Sequence, residues 1–275
     1  MRYCCYTSDM ARFNRLELPD DPPLEPQPQK AQTVSEKPEK RYRNSVTDWM
    51  QEASNQRRMG FYEAALRSYG RALECERSHV AAWVGQAQML IMLAEPRQAE
   101  MWTISGLKMF PGNADLLAAR SQALCRLGNH REALQYNDVA IQGEGATAYR
   151  WSVRGEVMTA MKTSTATHCF DSAEQIDADW LVRTENANIL RFYKNPLSAL
   201  GRASAAVNIA PDAPFAWMIK GICESESGFR PQAIKSLEQA LQLAPEFKEA
   251  KRWLAIAQTS SPGLLKWLLN FFQRR

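Results

Sequence analysis

The sequence predicts an all-α solenoid of about six stacked helical pairs between residues 46 and 245, finished by capping helices at the C-terminal end. Three observations predict it. Small residues recur with a period near 34 residues. Each period holds two apolar stripes of helical spacing. Glycine or proline breaks the stripes where one helix must give way to the next.

The period can be read off directly. Alanines early in the second helix of each unit are Ala65, Ala99, Ala133, Ala166, Ala199 and Ala233, with steps of 34, 34, 33, 33 and 34. The small residues within the first helices are Ala53, Ala87, Ser121, Gly155, Ala187 and Gly221, with steps of 34, 34, 34, 32 and 34. Short side chains are required where the two helices of a pair cross closely. Trp49, Trp83, Trp151 and Trp217 fill the space beside the crossings. Gly60, Gly128 and Gly228 free the backbone to turn within a pair. Pro111, Pro211 and Pro245 stop second helices, because proline cannot continue the hydrogen-bond ladder. One unit cannot bury its own apolar face, so neighbours must stack.

Two units depart from the pattern. The fourth has Met161-Lys162-Thr163-Ser164 in place of the glycine turn and is a residue short. The fifth has Tyr193-Lys194-Asn195-Pro196 at its turn and lacks the tryptophan at the usual place. Local irregularity is expected between residues 160 and 198.

The ends read differently from the repeats. Residues 1–40 hold Pro19, Pro22, Pro23, Pro26, Pro28 and Pro38 among polar residues, which predicts a disordered tail. Its Pro23-Leu24-Glu25-Pro26 has PxxP spacing, common in any proline-rich tail. Either Met1 or Met10 serves as a start in this reading. The solenoid takes residues 41–245. Residues 246–275 form the C-terminal part. Within it, residues 246–258 read as a capping helix with Trp253, Leu254 and Ala257 facing back. A break at residues 260–263 is followed by an apolar, basic segment, residues 264–275. On a helix that segment is ~18 Å long, too short to span a bilayer. It either packs on the solenoid as a second cap or docks on a membrane surface or a partner, using Trp267, Phe271, Phe272, Arg274 and Arg275.

Charge narrows the function. The net charge is +4, and residues 46–245 carry 20 basic and 21 acidic side chains, so the repeats have no basic excess. Residues 246–275 carry 6 basic and 2 acidic ones, and an acidic partner or anionic lipid is expected there. The six cysteines show no zinc-ligand spacing, and buried free thiols in a reducing compartment are expected. With no apolar leader and no run of about 20 apolar residues, the expectation is a cytoplasmic protein, with peripheral membrane contact through residues 264–275 as the variant.

The period, the paired stripes and the recurring small residues resemble the tetratricopeptide repeat family over about residues 46–245. The resemblance implies a right-handed superhelix and a non-catalytic scaffold that binds a protein or peptide in its concave groove. In that family the groove is lined by the first helix of each unit. The matching residues here include Met50 and Arg57; Val84, Gln88 and Met92; Gln122 and Arg126; Tyr149 and Glu156; Asn188 and Arg191; and Phe215 and Met218. This surface is mixed rather than basic with interleaved aromatics, so nucleic acid is not expected. Some members clamp the acidic tail of chaperones with lysine, asparagine and arginine. The corresponding slots, Met50, Ser54, Gly85, Asp115 and Ala119, could not serve, so no chaperone clamp is expected.

Nothing in the sequence calls for chemistry. His168 and Cys169 are adjacent, and neighbours on a helix point about 100° apart. Asp171, Glu174, Asp177 and Asp179 lack calcium-loop geometry and read as a solvated face. No enzyme activity, cofactor or metal is expected. The leading reading is an adaptor for a peptide or helix. Beside it stand a membrane-associated assembly scaffold recruited by residues 264–275 and a structural subunit of a larger complex.

Overall fold

The structure is a computed structural model and describes residues 45–259. These form thirteen helices and no strand. Twelve make six antiparallel-reading pairs: α1 (Val46–Arg58) with α2 (Tyr62–Cys75), α3 (Val80–Met92) with α4 (Pro96–Met109), α5 (Ala114–Arg126) with α6 (His130–Gln142), α7 (Ala148–Ala160) with α8 (Ala166–Ile176), α9 (Trp180–Phe192) with α10 (Pro196–Ile209), and α11 (Pro214–Glu226) with α12 (Arg230–Leu243). The thirteenth, α13 (Lys248–Gln258), packs on α12 and α11. The segments called as a disordered tail, residues 1–40, and as a second cap or docking helix, residues 264–275, lie outside the described residues.

The turn inside each pair is the same device six times. One residue takes a left-handed backbone: Gly60, Ala94, Gly128, Lys162, Lys194 and Gly228, with φ between 57° and 90°. The next amide then reaches back five residues, as from Phe61 N to Gln56 O at 2.8 Å and from Asn129 N to Leu124 O at 2.9 Å. This closes the helix in the manner of a Schellman cap and satisfies carbonyls that would otherwise be orphaned. The sequence reveals the glycine cases. Alanine and two lysines hold the other turns, where each Cβ carries a left-handed penalty of about 1–2 kcal/mol.

Where the helices cross, the small residues are fully covered. Ala53, Ala87, Ser121, Ala187, Ala65, Ala99, Ala133, Ala199 and Ala233 have no exposed surface. Ser121 donates to the Ala133 carbonyl at 2.6 Å, which measures how close the backbones come. A Cβ on Gly221 would lie 2.7 Å from Leu237, and one on Gly155 2.6 Å from Phe170. Trp83 and Trp217 sit beside crossings and each donates its ring N–H, at 2.8 Å, to a carbonyl six residues upstream, Arg77 and Pro211. They thereby pin the loop entering their own helix. Pro111, Pro211 and Pro245 each lie two residues beyond the end of a second helix.

The irregularity falls on the fourth pair. α8 has 11 residues where the other paired helices have 13 or 14. Residues 163–165 do not join it, so Ala166 stands half-exposed at its start rather than at a crossing. The thiols are split: Cys125, Cys169 and Cys223 are buried, whereas Cys75 is exposed. Burial pushes the Cys125 and Cys223 thiols up to about 12.

A side chain at Gly221 must overpack the sixth pair, so Gly221→Leu is expected to lower stability by ~1–3 kcal/mol. Gly201, whose Cβ would meet nothing within 4 Å, serves as the control. Urea denaturation of the two leucine variants checks this, and equal losses would contradict the close crossing at Gly221.

Candidate functional site

The first helices of the first five pairs line a half-open cavity of about 500 Å³. Its wall takes Arg57 from α1, Gln88, Met89 and Met92 from α3, Gln122 from α5, Tyr149 and Ser152 from α7, and Val182, Glu185 and Ile189 from α9. Thr147, Ile176 and Asp177 complete the rim. Met92, Val182 and Ile176 supply the accessible apolar surface, with Met89 and Ile189 buried behind it. Most of the polar groups among them already have partners.

Those partners form a ladder across the inner face. The Arg57 guanidinium donates to both carboxylate oxygens of Glu185, at 2.7 and 2.6 Å, and to Gln88 Oε1 at 2.8 Å. Burial opposes its charge, but the Glu185 carboxylate more than offsets this and holds the guanidinium firmly protonated. Gln122 donates to Glu156 at 2.7 Å and accepts from the Tyr149 hydroxyl at 2.9 Å. Glu156 has no exposed surface and also takes hydrogen bonds from Arg126 and from Tyr193, the latter at 3.2 Å. Arg191 grips Glu226 through two bonds at 2.9 and 2.8 Å and reaches Asn188 at 2.7 Å. Each of these inner arginines thus has a carboxylate, and the wall carries no unpaired basic stripe.

The groove positions expected from the sequence therefore divide. Arg57, Gln88, Met92, Gln122 and Tyr149 meet at the cavity. Arg126 and Glu156 form a buried ion pair beside it, and Asn188 and Arg191 belong to a separate polar cluster. Phe215 and Met218 were expected at an exposed inner surface; they are instead 1% and 5% exposed, inside the core around α11. Met50 and Val84 are half-buried, Met50 against the core of the first two pairs. Glu185, Met89 and Ile189 line the cavity without having been chosen. Met89 and Ile189 occupy the same place in their helices, two residues after the crossing alanines Ala87 and Ala187, a position the period alone assigns to the core.

The reason for so much burial is that the first pair meets the last two. Arg58 of α1 pairs with Asp179 at 2.7 Å and lies over the Trp180 ring, 4.8 Å from its centre. The turn after α1 continues the contact. Tyr62 packs edge-on against Phe215 at 5.9 Å, Phe61 against Phe247 at 5.6 Å, and a Cβ on Gly60 would lie 2.5 Å from the Phe215 ring. An open groove was the expectation; the inner face is walled by the solenoid's own ends.

The acidic run around α8 also differs from expectation. Glu174 is buried rather than solvated, bridged by Arg183 and Arg202, and Asp179 caps α9 by accepting from Leu181 N at 2.8 Å. Asp171 and Asp177 are exposed. His168 is exposed and Cys169 buried, so the two side chains do not converge. Among the described residues no three metal-binding side chains come together, and no helix is long and apolar enough to cross a membrane.

The Arg126–Glu156 pair tests this electrostatic account. Glu156→Gln leaves Arg126, whose side chain is 8% exposed, without its carboxylate, and is expected to cost about 3–5 kcal/mol. Replacing both by leucine is expected to recover most of that loss. A double variant no better than the single one, in thermal melts, would count against the pairing.

Residues 50–100 match the tetratricopeptide repeat model. No curated protein matches the chain in sequence. Among solved structures, the chain is similar to a tetratricopeptide repeat protein from Parabacteroides merdae, with 15% identity, 78% of this chain and 84% of that one covered, and a TM-score of 0.49. A thermophilic TPR protein in Thermus thermophilus gives 16% identity, 78% and 98% coverage, and 0.47. The APC/C hetero-tetramer Cut9–Hcn1 gives 15% identity and 0.48; 80% of this chain aligns, spanning 44% of the length of that one. The family's repeat is thus matched at residues 50–100, within the six helical pairs that the described residues form.

Proposed function

We propose that the chain is a non-catalytic adaptor that binds a short peptide segment in the cavity lined by α1, α3, α5, α7 and α9. The observation that carries this reading is the cavity wall itself. It has apolar side chains free to make contact and polar ones already held in place, the usual composition of a preformed binding site. Size sets the ligand. A helix with its side chains is about 10–12 Å across and rises 5.4 Å per turn, so about 500 Å³ holds roughly one turn of helix or a few extended residues. A long docked helix does not fit.

The paired inner arginines argue for the same class of ligand. Nucleic acid binds where cations are available to phosphates, and here Arg57, Arg126 and Arg191 each have a carboxylate. The buried thiols Cys125, Cys169 and Cys223 form no disulfide, which supports a reducing compartment such as the cytoplasm.

A displayed peptide library screened against the full chain tests the reading, with hits measured by fluorescence anisotropy. Met92→Glu puts a charge on the apolar wall and is expected to weaken binding at least tenfold, about 1.4 kcal/mol, with helicity unchanged. Hits that bind Met92→Glu as tightly as the unaltered chain would place the site elsewhere, and a library without hits would remove the peptide reading.

A further inference from the structure

In a helical solenoid each repeat ordinarily touches only its neighbours. Here α1 and the turn after it touch α9, α11 and the residue before α13. Arg57 holds Glu185 across 128 residues of sequence, and Arg58 holds Asp179 across 121. Phe61 and Tyr62 close on Phe247 and Phe215. The Arg57–Glu185 pair is also part of the cavity wall. The contact that joins the ends is therefore part of the wall of the binding site as well.

The opposite requirement, a place where the solenoid can give, is met at the seam between the fourth and fifth pairs. α8 lies less closely against α9 than any other second helix lies against the first helix of the next pair. Buried Phe170 of α8 shares a core cluster there with Ala187 and Leu190 of α9, and beside it Glu174 takes Arg183 and Arg202, Asp171 takes Arg202 at 3.0 Å, and Asn186 donates to Glu174 at 3.2 Å. A cleft of about 810 Å³ lies beside it, lined in part by Lys162, Phe170, Lys194 and Gly201. The cleft leaves space for movement. Tyr193, at the end of α9, remains anchored through Glu156 and Cys125 at 3.2 Å each and supplies the fixed point.

We propose that the contact between the first pair and the α9–α13 part is a latch. It releases when that part swings about the α8–α9 seam, and release admits the peptide to the inner cavity. The inference rests on the peptide reading for what enters, but not for the movement itself.

Two variants open the latch by different means. Arg57→Glu sets like charges against each other at Glu185, and adding Glu185→Arg restores the pair in reverse. Gly60→Lys drives a side chain into Phe215. Lysine already occupies the same left-handed turn position at Lys162 and Lys194, so the turn itself tolerates it. Small-angle scattering of the full chain is expected to show a larger radius of gyration for Arg57→Glu and for Gly60→Lys, and a return to the original value for the reversed pair. Circular dichroism checks that helicity is kept; should Arg57→Glu lose it, Gly60→Lys decides alone. Unchanged dimensions in a folded Gly60→Lys chain would overturn the latch. Peptide binding in the same variants separates the two proposals. Expansion without any bound peptide leaves the latch standing and removes the peptide reading, whereas binding to variants that stay compact does the reverse.

Discussion

Every pair of helices crosses at a point where only a methyl group, a hydroxyl or a hydrogen fits, and the rest of the solenoid follows from that closeness. Backbones this near need a turn of few residues, which is why all six turns use one left-handed residue and the same five-residue back bond. The crossing also fixes what each helix shows its neighbours. With one face committed to its partner, a first helix has an inner face and a lateral face left, and the lateral face packs on the next pair. The core is accordingly a series of clusters passed from pair to pair rather than one central mass.

Closure of the ends changes the character of this assembly. A solenoid with only neighbour contacts can fray from either end, because losing the first repeat breaks one interface. Here loss of the first pair also uncovers Phe215 and Phe247, which are 1% and 3% exposed in the core around α11. The ends therefore support each other, and the inner polar ladder lies where water is scarce. That setting explains the pairing of its arginines. A lone guanidinium there would carry a large desolvation penalty, whereas one gripped by a carboxylate keeps its charge at modest loss.

Much of this architecture was legible in the amino acids, and the parts that were not have physical reasons. Ala53, Ala87, Ala187 and Gly221 declare the crossings because no larger residue fits. Gly60, Gly128 and Gly228 declare their turns, but Ala94, Lys162 and Lys194 adopt the same backbone without a glycine to announce it. Ala166 misled the register of the fourth unit, since the first turn of α8 is not formed and the helix begins where the alanine stands. Phe215 was assigned to the groove because its helical position is correct; what buries it is Gly60 and Tyr62, more than 150 residues away. A periodic pattern reports what each residue does within its own repeat. It holds no information on whether the curvature brings the first repeat round to the last.

The energetics of the closing contact set what it can do. Its two ion pairs are partly exposed, at 22% and 16% for Arg57 and Glu185 and 36% and 33% for Arg58 and Asp179. The more exposed Arg58–Asp179 pair contributes about 0–1 kcal/mol, whereas the mostly covered Arg57–Glu185 pair costs more to break, because it leaves a charge poorly solvated. The two aromatic contacts add about 0.5–1.5 kcal/mol each beyond the area they bury. The specific interactions therefore amount to a few kcal/mol, the size of gap at which a minor state is still populated and a ligand can shift the balance. A contact ten times stronger would hold the ends together permanently, and one much weaker would leave Phe215 wet. The α8–α9 seam gives more readily than its counterparts because α8 lies less closely against the next helix and a cleft opens beside it. The least regular of the six units is thus the one whose packing is compatible with movement, and its missing residue and short helix are what make it so.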